Sequence, residues 1–287
     1  MNKFRKIWCV ILNYNSADDC ARSIADLKLQ QNVDCGIVVV DNASSMEDLN
    51  SLRGICERTG VVLLENPVNR GYSAGNNVGL RYAAEHGAEL AMIVNPDMRF
   101  PDTEYVSALS RVFELDDKIV VAASDILNIE GWHQNPNVPD QGWRSSFDWI
   151  NGLIVGNRRP PNVKYEKNGI CEKLSGCCFM IRTDFLQGIG FFDEYPFLYC
   201  EEAILAAQVK RSGMKMYYLA DRQAIHYHVA TSKGNTLSRF RQFCRSRTYF
   251  QWHYTDDNWF LKSIAIVSWY VWSWLMIVNA KIRSLFR

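Results

Sequence analysis

Apolar residues fall in four short continuous runs within the first hundred positions, at 7–12, 37–40, 61–64 and 90–94. Runs of that length without alternation predict strands buried on both faces. Between them, the segments near 17–29, 46–58 and 73–86 carry the mixed apolar and polar pattern of helices. Strand and helix in alternation predict an α/β fold with a mostly parallel sheet, right-handed crossovers and helices on both sides. Ligands of such sheets sit at the carboxyl ends of the strands. The polar residues that follow the four runs are Asn13 and Asn15, then Asp41, Asn42 and Ser44, then Asn66 to Asn69, then Asn95 and Asp97. All four clusters are expected to meet on one edge.

A further helix and strand fit residues 101–125, and a polar stretch with weak periodicity follows from 128 to about 167. That stretch reads as an insertion able to shape a binding site. Patterned sequence resumes at 174–181, and an amphipathic helix is expected over 201–212. No linker and no internal repeat divide the chain, so residues 1–255 read as one catalytic unit and 256–287 as an appendage. Within the appendage, 263–280 is a stretch of 18 uncharged residues with Trp269, Tyr270, Trp272 and Trp274, followed by Lys281, Arg283 and Arg287. This is at the lower limit for crossing a bilayer, which takes about 20 residues. Tryptophans with basic flanks predict a helix lying in or dipping into a membrane interface. The competing reading is an amphipathic helix packed on the catalytic unit.

Composition narrows the partners. A chain of 287 residues with 48% hydrophobic positions can bury a substantial core, and a formal net charge of +1 gives no footprint for nucleic acid. Nine scattered cysteines, an odd number without a CxxC pair, fit a reducing compartment. The apolar run at 7–12 is too short for a signal-peptide core and leads into a strand, so the chain is expected on the cytoplasmic side.

Several residues can carry chemistry. Asp41 ends a strand, where its carboxylate either accepts hydrogen bonds from a base or ribose or closes an Asx turn ahead of the next helix. The run 69–79, with Asn69, Gly71, Asn76 and Asn77, either faces a diphosphate with backbone N–H groups or packs tightly on the sheet through Gly75 and Gly79. Asp97 follows Asn95 and Pro96 at a strand end. Such a carboxylate suits Mg²⁺ or Mn²⁺, which take a few protein oxygens and complete their shell with phosphate and water. Glu201 and Glu202 open a helix and point about 100° apart, so one of the two can act as a base. His226 and His228 alternate as on a strand, and either can complete a metal site or contact phosphate.

Taken together these stretches resemble the family 2 glycosyltransferases of the GT-A fold, the rhamnosyltransferase-like branch that builds O-antigen and other surface polysaccharides. The resemblance spans about residues 10–250: the opening strand into Asn13 and Asn15, the segment 39–45 around Asp41, the Asn69 to Gly79 run, and the Asn95, Pro96, Asp97 triplet in the place of the family's metal motif. Ser175 and Gly176, then Gly190 through Asp193 and Glu194, match the acceptor-side stretch, and Arg247 falls in a segment like the family's Arg-Asn-Arg, near the diphosphate. The resemblance implies an inverting, metal-dependent transferase with its nucleotide-sugar half at about 1–100. It implies a dTDP-rhamnose or UDP-hexose donor, a lipid-linked glycan acceptor, and a peripheral place on the inner face of the plasma membrane. Two positions depart from it: the family's Glu-Asp pair is Glu201 and Glu202 here, and its single histidine becomes His226 and His228. A sugar-1-phosphate nucleotidyltransferase would carry a glycine-rich loop where Asn13 to Ser16 stand. A catalytically silent binding partner is the remaining alternative.

Overall fold

The computed structural model describes residues 5–140, 142–150, 162–228 and 236–285. Strands β1 (Lys6–Asn13), β2 (Asp34–Asp41), β3 (Val62–Glu65) and β4 (Leu90–Val94) lie parallel in the order β3-β2-β1-β4. Helices α1 (Ala17–Lys28), α2 (Met46–Thr59) and α3 (Tyr72–Glu85) make the crossovers, within two residues of the expected bounds. The sheet is buried on both sides because successive residues of β1 serve different cores: Cys9 and Ile11 pack with Ile24, Leu52 and Met92, while Val10 packs with Val38, Leu80 and Ile93. At α2, Ser45 Oγ accepts a hydrogen bond from Asp48 N (3.3 Å), and Gly60 ends the helix at φ +64°. At α3 the tight-packing reading holds. A Cβ on Gly75 would stand 2.6 Å from Leu12 Cδ1, and one on Gly79 2.4 Å from Val10 Cγ1.

The second half of the sheet departs from the mostly parallel expectation. After β5 (Met98–Arg99), α4 (Tyr105–Arg111), β6 (Ile119–Asn128) and β7 (Gly169–Cys171), strand β8 (Cys178–Arg182) inserts between β4 and β6 and runs antiparallel to both. The short α5 (Thr183–Gly188) and α6 (Glu201–Arg211) precede β9 (Lys215–His226), which is parallel to β6 and antiparallel to β5 and β7. β8 is reached from the insertion and not through a helical crossover from β4, so it enters from the far end of the sheet.

Helices α7 (Thr236–Tyr254) and α8 (Trp259–Leu285) follow, and Phe240 and Phe243 of the first pack on Trp269 and Trp272 of the second. The insertion is fastened to them: Ser268 Oγ donates to Ser146 O (2.7 Å), Trp149 Nε1 to Ser268 Oγ (2.9 Å), and Trp143 N to Asp257 Oδ2 (2.7 Å). Residues 151–161 of the insertion lie outside the described residues. The appendage packs on the body along one side only. Ala265, Ser268 and Trp269 are buried against the body, while Trp259, Tyr270 and Trp274 are 58–72% exposed. One helix, at Trp259–Asn279, is long and apolar enough to cross a membrane.

Candidate active site

The register between two strands builds the first half of the site. Met98 pairs with His226 and Arg99 with Ile225, and Tyr227 N donates to Asp97 O (2.8 Å). Asp97 is thereby set opposite Tyr227, and the side chains on either side of Tyr227, both on one face of the chain, close on its carboxylate. His226 Nε2 lies 3.2 Å from Asp97 Oδ1, and His228 Nδ1 lies 3.3 Å from Oδ2. The three residues offer ligand atoms within 4.8 Å of one another. His226 and Asp97 are largely buried and His228 is exposed. Asp97 Oδ1 and His226 Nε2 are close, yet both are buried without a hydrogen bond. Two close polar atoms, buried and unsatisfied, fit a divalent cation that would satisfy both. Burial pushes the Asp97 carboxyl up, but the two imidazoles outweigh it and hold it below the ordinary value. Burial pulls His226 down, and Asp97 and Cys177 overcome that and lift it to about 10, so a cation binding at Nε2 would displace a proton from it.

The second half is the turn that presents Glu201 and Glu202. Tyr199 and Cys200 both adopt left-handed backbone, at φ +75° and +70°. Two successive non-glycine residues there cost on the order of 1–2 kcal/mol each, so the turn is held by its surroundings. Glu201 Oε1 is buried without a partner. Burial first, and the Glu202 charge second, push its carboxyl up to about 7 against backbone N–H groups that favour the ionised form. Glu202 packs beside Gly176, where a Cβ would stand 3.0 Å from its Cγ. Among the described residues, no hydrogen bond or ion pair ties Glu202 down. Tyr72 joins the halves: its hydroxyl donates to Gly176 O (2.6 Å) and lies 3.2 Å from Asn95 Oδ1. Tyr72, Asn95, Gly176, Glu201, Glu202 and His226 all line one cleft of about 660 Å³.

Other expected residues sit on the predicted edge in supporting roles. Asn13 Nδ2 donates to Asp41 Oδ1 (2.9 Å) and Ser44 N to Asp41 Oδ2 (3.0 Å), which buries Asp41 in the Asx-turn role. Asn15 Oδ1 accepts from Ser45 N (2.8 Å), and Asn69 Oδ1 accepts from Asn42 Nδ2 and Gly71 N. Part of the 69–79 run is engaged within the protein itself: Tyr72 N donates to Phe197 O (2.9 Å), and Asn76 Nδ2 to Tyr72 O (3.0 Å). Asn77 Nδ2 donates to Phe192 O and Glu194 Oε1. Asp193 and Glu194 are likewise absent from the cleft lining. Asp193 Oδ2 accepts from the Tyr249 and Tyr254 hydroxyls, and Glu194 pairs with Arg70, so both are tied to the body. Arg247 does line the cleft, and its NH1 donates to Asp140 Oδ1 (2.6 Å), which Lys173 also pairs at 3.1 Å. The sequence reading missed the Tyr72 hydroxyl, Asp140, Lys173 and Gln134, whose Oε1 is 2.9 Å from His226 Nδ1. Tyr72 carried a signal, since it stands inside the 69–79 run that carries the resemblance. The other three are isolated polar residues without spacing to mark them.

The sheet, the strand-end edge and the paired halves of the cleft define a GT-A glycosyltransferase fold. The structure matches a mannosyltransferase from Pyrobaculum calidifontis, solved with GDP-Man and Mn²⁺, at TM-score 0.60 and 14% identity over 99% of this chain and 81% of that one. It also matches GalNAc-T7, solved with UDP, GalNAc and Mn²⁺, at TM-score 0.64 and 14% identity over 88% and 48%. The sequence model of Glycosyl transferase family 2 matches residues 8–190, and the chain belongs to that family. It is 28% identical over 218 residues to the low-salt glycan biosynthesis hexosyltransferase Agl10 of Haloferax volcanii, and spans 76% of this chain and 66% of that protein. It is also 28% identical over 149 residues to the dTDP-rhamnosyl transferase RfbF of Shigella flexneri, spanning 51% and 48%.

Proposed function

We propose that the chain is an inverting glycosyltransferase that moves rhamnose or a hexose from a nucleoside-diphosphate donor to a hydroxyl of a lipid-linked glycan, in surface-polysaccharide assembly such as that of O-antigen. The observation that carries this is a cation-ready trio, Asp97, His226 and His228, whose His226 lines the same cleft as a carboxylate pair at a strained turn. Asp97, His226 and His228 would hold Mg²⁺ or Mn²⁺. The cation, when bound, supplies positive charge for the departing nucleoside diphosphate. Glu202 takes the proton of the acceptor hydroxyl as that oxygen bonds to the anomeric carbon, and the bond from that carbon to the phosphate oxygen breaks on the opposite side. Glu202 suits this role better than Glu201, because it is not tied down and lies against a glycine in the cleft, whereas Glu201 is buried with Oε1 unpartnered. Residues 1–255 form the catalytic unit, with Arg247 beside the bound phosphates, and 256–287 hold it on the inner face of the membrane. The exposed aromatic side of α8 supports that placement, and the dTDP-rhamnosyl relative and the neighbours solved with GDP-Man or UDP support a nucleotide-sugar donor.

The test is nucleotide release with a panel of sugar nucleotides, with and without Mn²⁺. Asp97→Ala and Glu202→Gln are each expected to lower turnover by about 10²-fold or more. Full turnover in both variants would overturn the assignment, and binding of donor without any release would favour a silent partner.

A further inference from the structure

We infer that Gln134 is a positioning residue for the cation site, holding His226 in the tautomer that can ligate a metal. The inference rests on the cation reading above and extends it to a residue outside every motif of the chain. Gln134 Oε1 lies 2.9 Å from His226 Nδ1. A carbonyl oxygen only accepts, so Nδ1 carries a hydrogen, and the lone pair of the neutral ring then falls on Nε2. Nε2 is the nitrogen that is buried, 3.2 Å from Asp97 Oδ1, and without a hydrogen bond. A ligating histidine needs this arrangement, one nitrogen anchored to an acceptor and the other bare.

Gln134 is itself fixed. Its N–H donates to Ile126 O (2.8 Å), and the residues on either side are pinned as well. His133 Nδ1 lies 2.8 Å from Asp125 Oδ1, Asn135 Nδ2 donates to Ser124 O (2.8 Å), and Asn135 Oδ1 accepts from Ser175 N (2.7 Å). Three successive residues are thus stitched to β6, and β6 runs beside β9 with Asn128 opposite His226. The acceptor and the imidazole are therefore held by one rigid pair of strands. The rival arrangement has the amide reversed, with its NH₂ donating to Nδ1 and a hydrogen on Nε2 directed at Asp97. That would be an ordinary Asp–His hydrogen bond, and the unaligned contact between Asp97 Oδ1 and His226 Nε2 argues against it.

The test is binding of Mn²⁺ to the full chain, alone and with UDP, read by electron paramagnetic resonance without acceptor or turnover. Gln134→Met keeps the shape and removes the acceptor, and it is expected to weaken Mn²⁺ binding about 10- to 100-fold. Gln134→Glu keeps an acceptor and is expected to bind as tightly as wild type or tighter. A purely structural role predicts no such order. Equal binding by wild type and Gln134→Met, or a tenfold loss in Gln134→Glu, overturns the proposal, and the second result decides it alone if Gln134→Met does not fold. A folded wild type that binds no Mn²⁺ overturns the cation site itself, a result distinct from one in which wild type binds and Asp97→Ala does not.

Discussion

Glu201 is buried with one oxygen unpartnered while its neighbour Glu202 lies loose beside a glycine, so two adjacent carboxylates meet different conditions within one turn. The consequence for stability has a definite sign. In the unfolded chain Glu201 ionises near 4.5, and in the folded chain burial delays this to about 7. Between those values the native state binds more protons than the unfolded one, so stability contributed at this position falls as pH rises through the window, and the penalty is fully present above it. Glu201→Gln removes the penalty. Its melting temperature is expected to exceed that of wild type by on the order of a few degrees at pH 8, with the difference shrinking as pH falls and gone below the ordinary value of 4.5 in parallel thermal melts. Gly176 answers a different question, the aim of Glu202. A Cβ 3.0 Å from Glu202 Cγ displaces that carboxylate and does not touch the cation trio. Gly176→Ala should therefore lower kcat roughly 10- to 100-fold, with donor KM and melting temperature near wild type. Steady-state kinetics alongside melts would check this, and an unchanged kcat would remove Glu202 from the reaction.

At the scale of elements, the loop around residue 197 is locked to the start of α3. Gly71 has φ +98°, and a Cβ there would stand 2.2 Å from Phe197 O, which accepts the Tyr72 N–H. Neither the backbone nor the carbonyl can give way cheaply, so Gly71→Ala is expected to cost at least about 2 kcal/mol in denaturant unfolding. The first four strands and three helices were legible in the sequence because long apolar runs and amphipathic stretches obey simple periods. The strand-end clusters were legible for the same reason, since topology alone brings Asn13, Asp41 and Asn95 to one edge. In the antiparallel half the longer elements near 101–125, 174–181 and 201–212 were legible too, but its pairing was not, because β5 has two residues and β7 three, too short for any period, and pairing between distant segments leaves no local trace. Gln134 was invisible on the same ground: its partner His226 is 92 residues away. The roles expected of Asp193 and Glu194 come from the resemblance, and that of Asn77 from the amide-rich run at a helix start; in the fold their hydrogen bonds clamp the 190s loop to α3 and α7.

For the whole molecule, the outward aromatics of α8 bear on where the chain works. Trp259, Tyr270 and Trp274 are exposed on a helix of mean hydropathy 1.5 over Trp259–Asn279, with only 17% of its apolar window buried. Burying one such side chain contributes about 1.5–3 kcal/mol, so replacing all three with Ser should lower partition onto phosphatidylglycerol vesicles at least tenfold in co-sedimentation. The circular dichroism spectrum should stay unchanged, and undiminished partition would place the membrane contact elsewhere. The two-residue strand that brings Asp97 to the histidines has a consequence beyond chemistry. Asp97 and His228 are separated by 131 residues, and a cation between them closes the whole intervening chain into a loop. A ligand that binds only the folded form shifts the balance toward it by mass action. A cation there would then clasp β9, whose chain continues to α7 and α8, onto the strand-end edge, so filling the site and closing the polypeptide become a single transition.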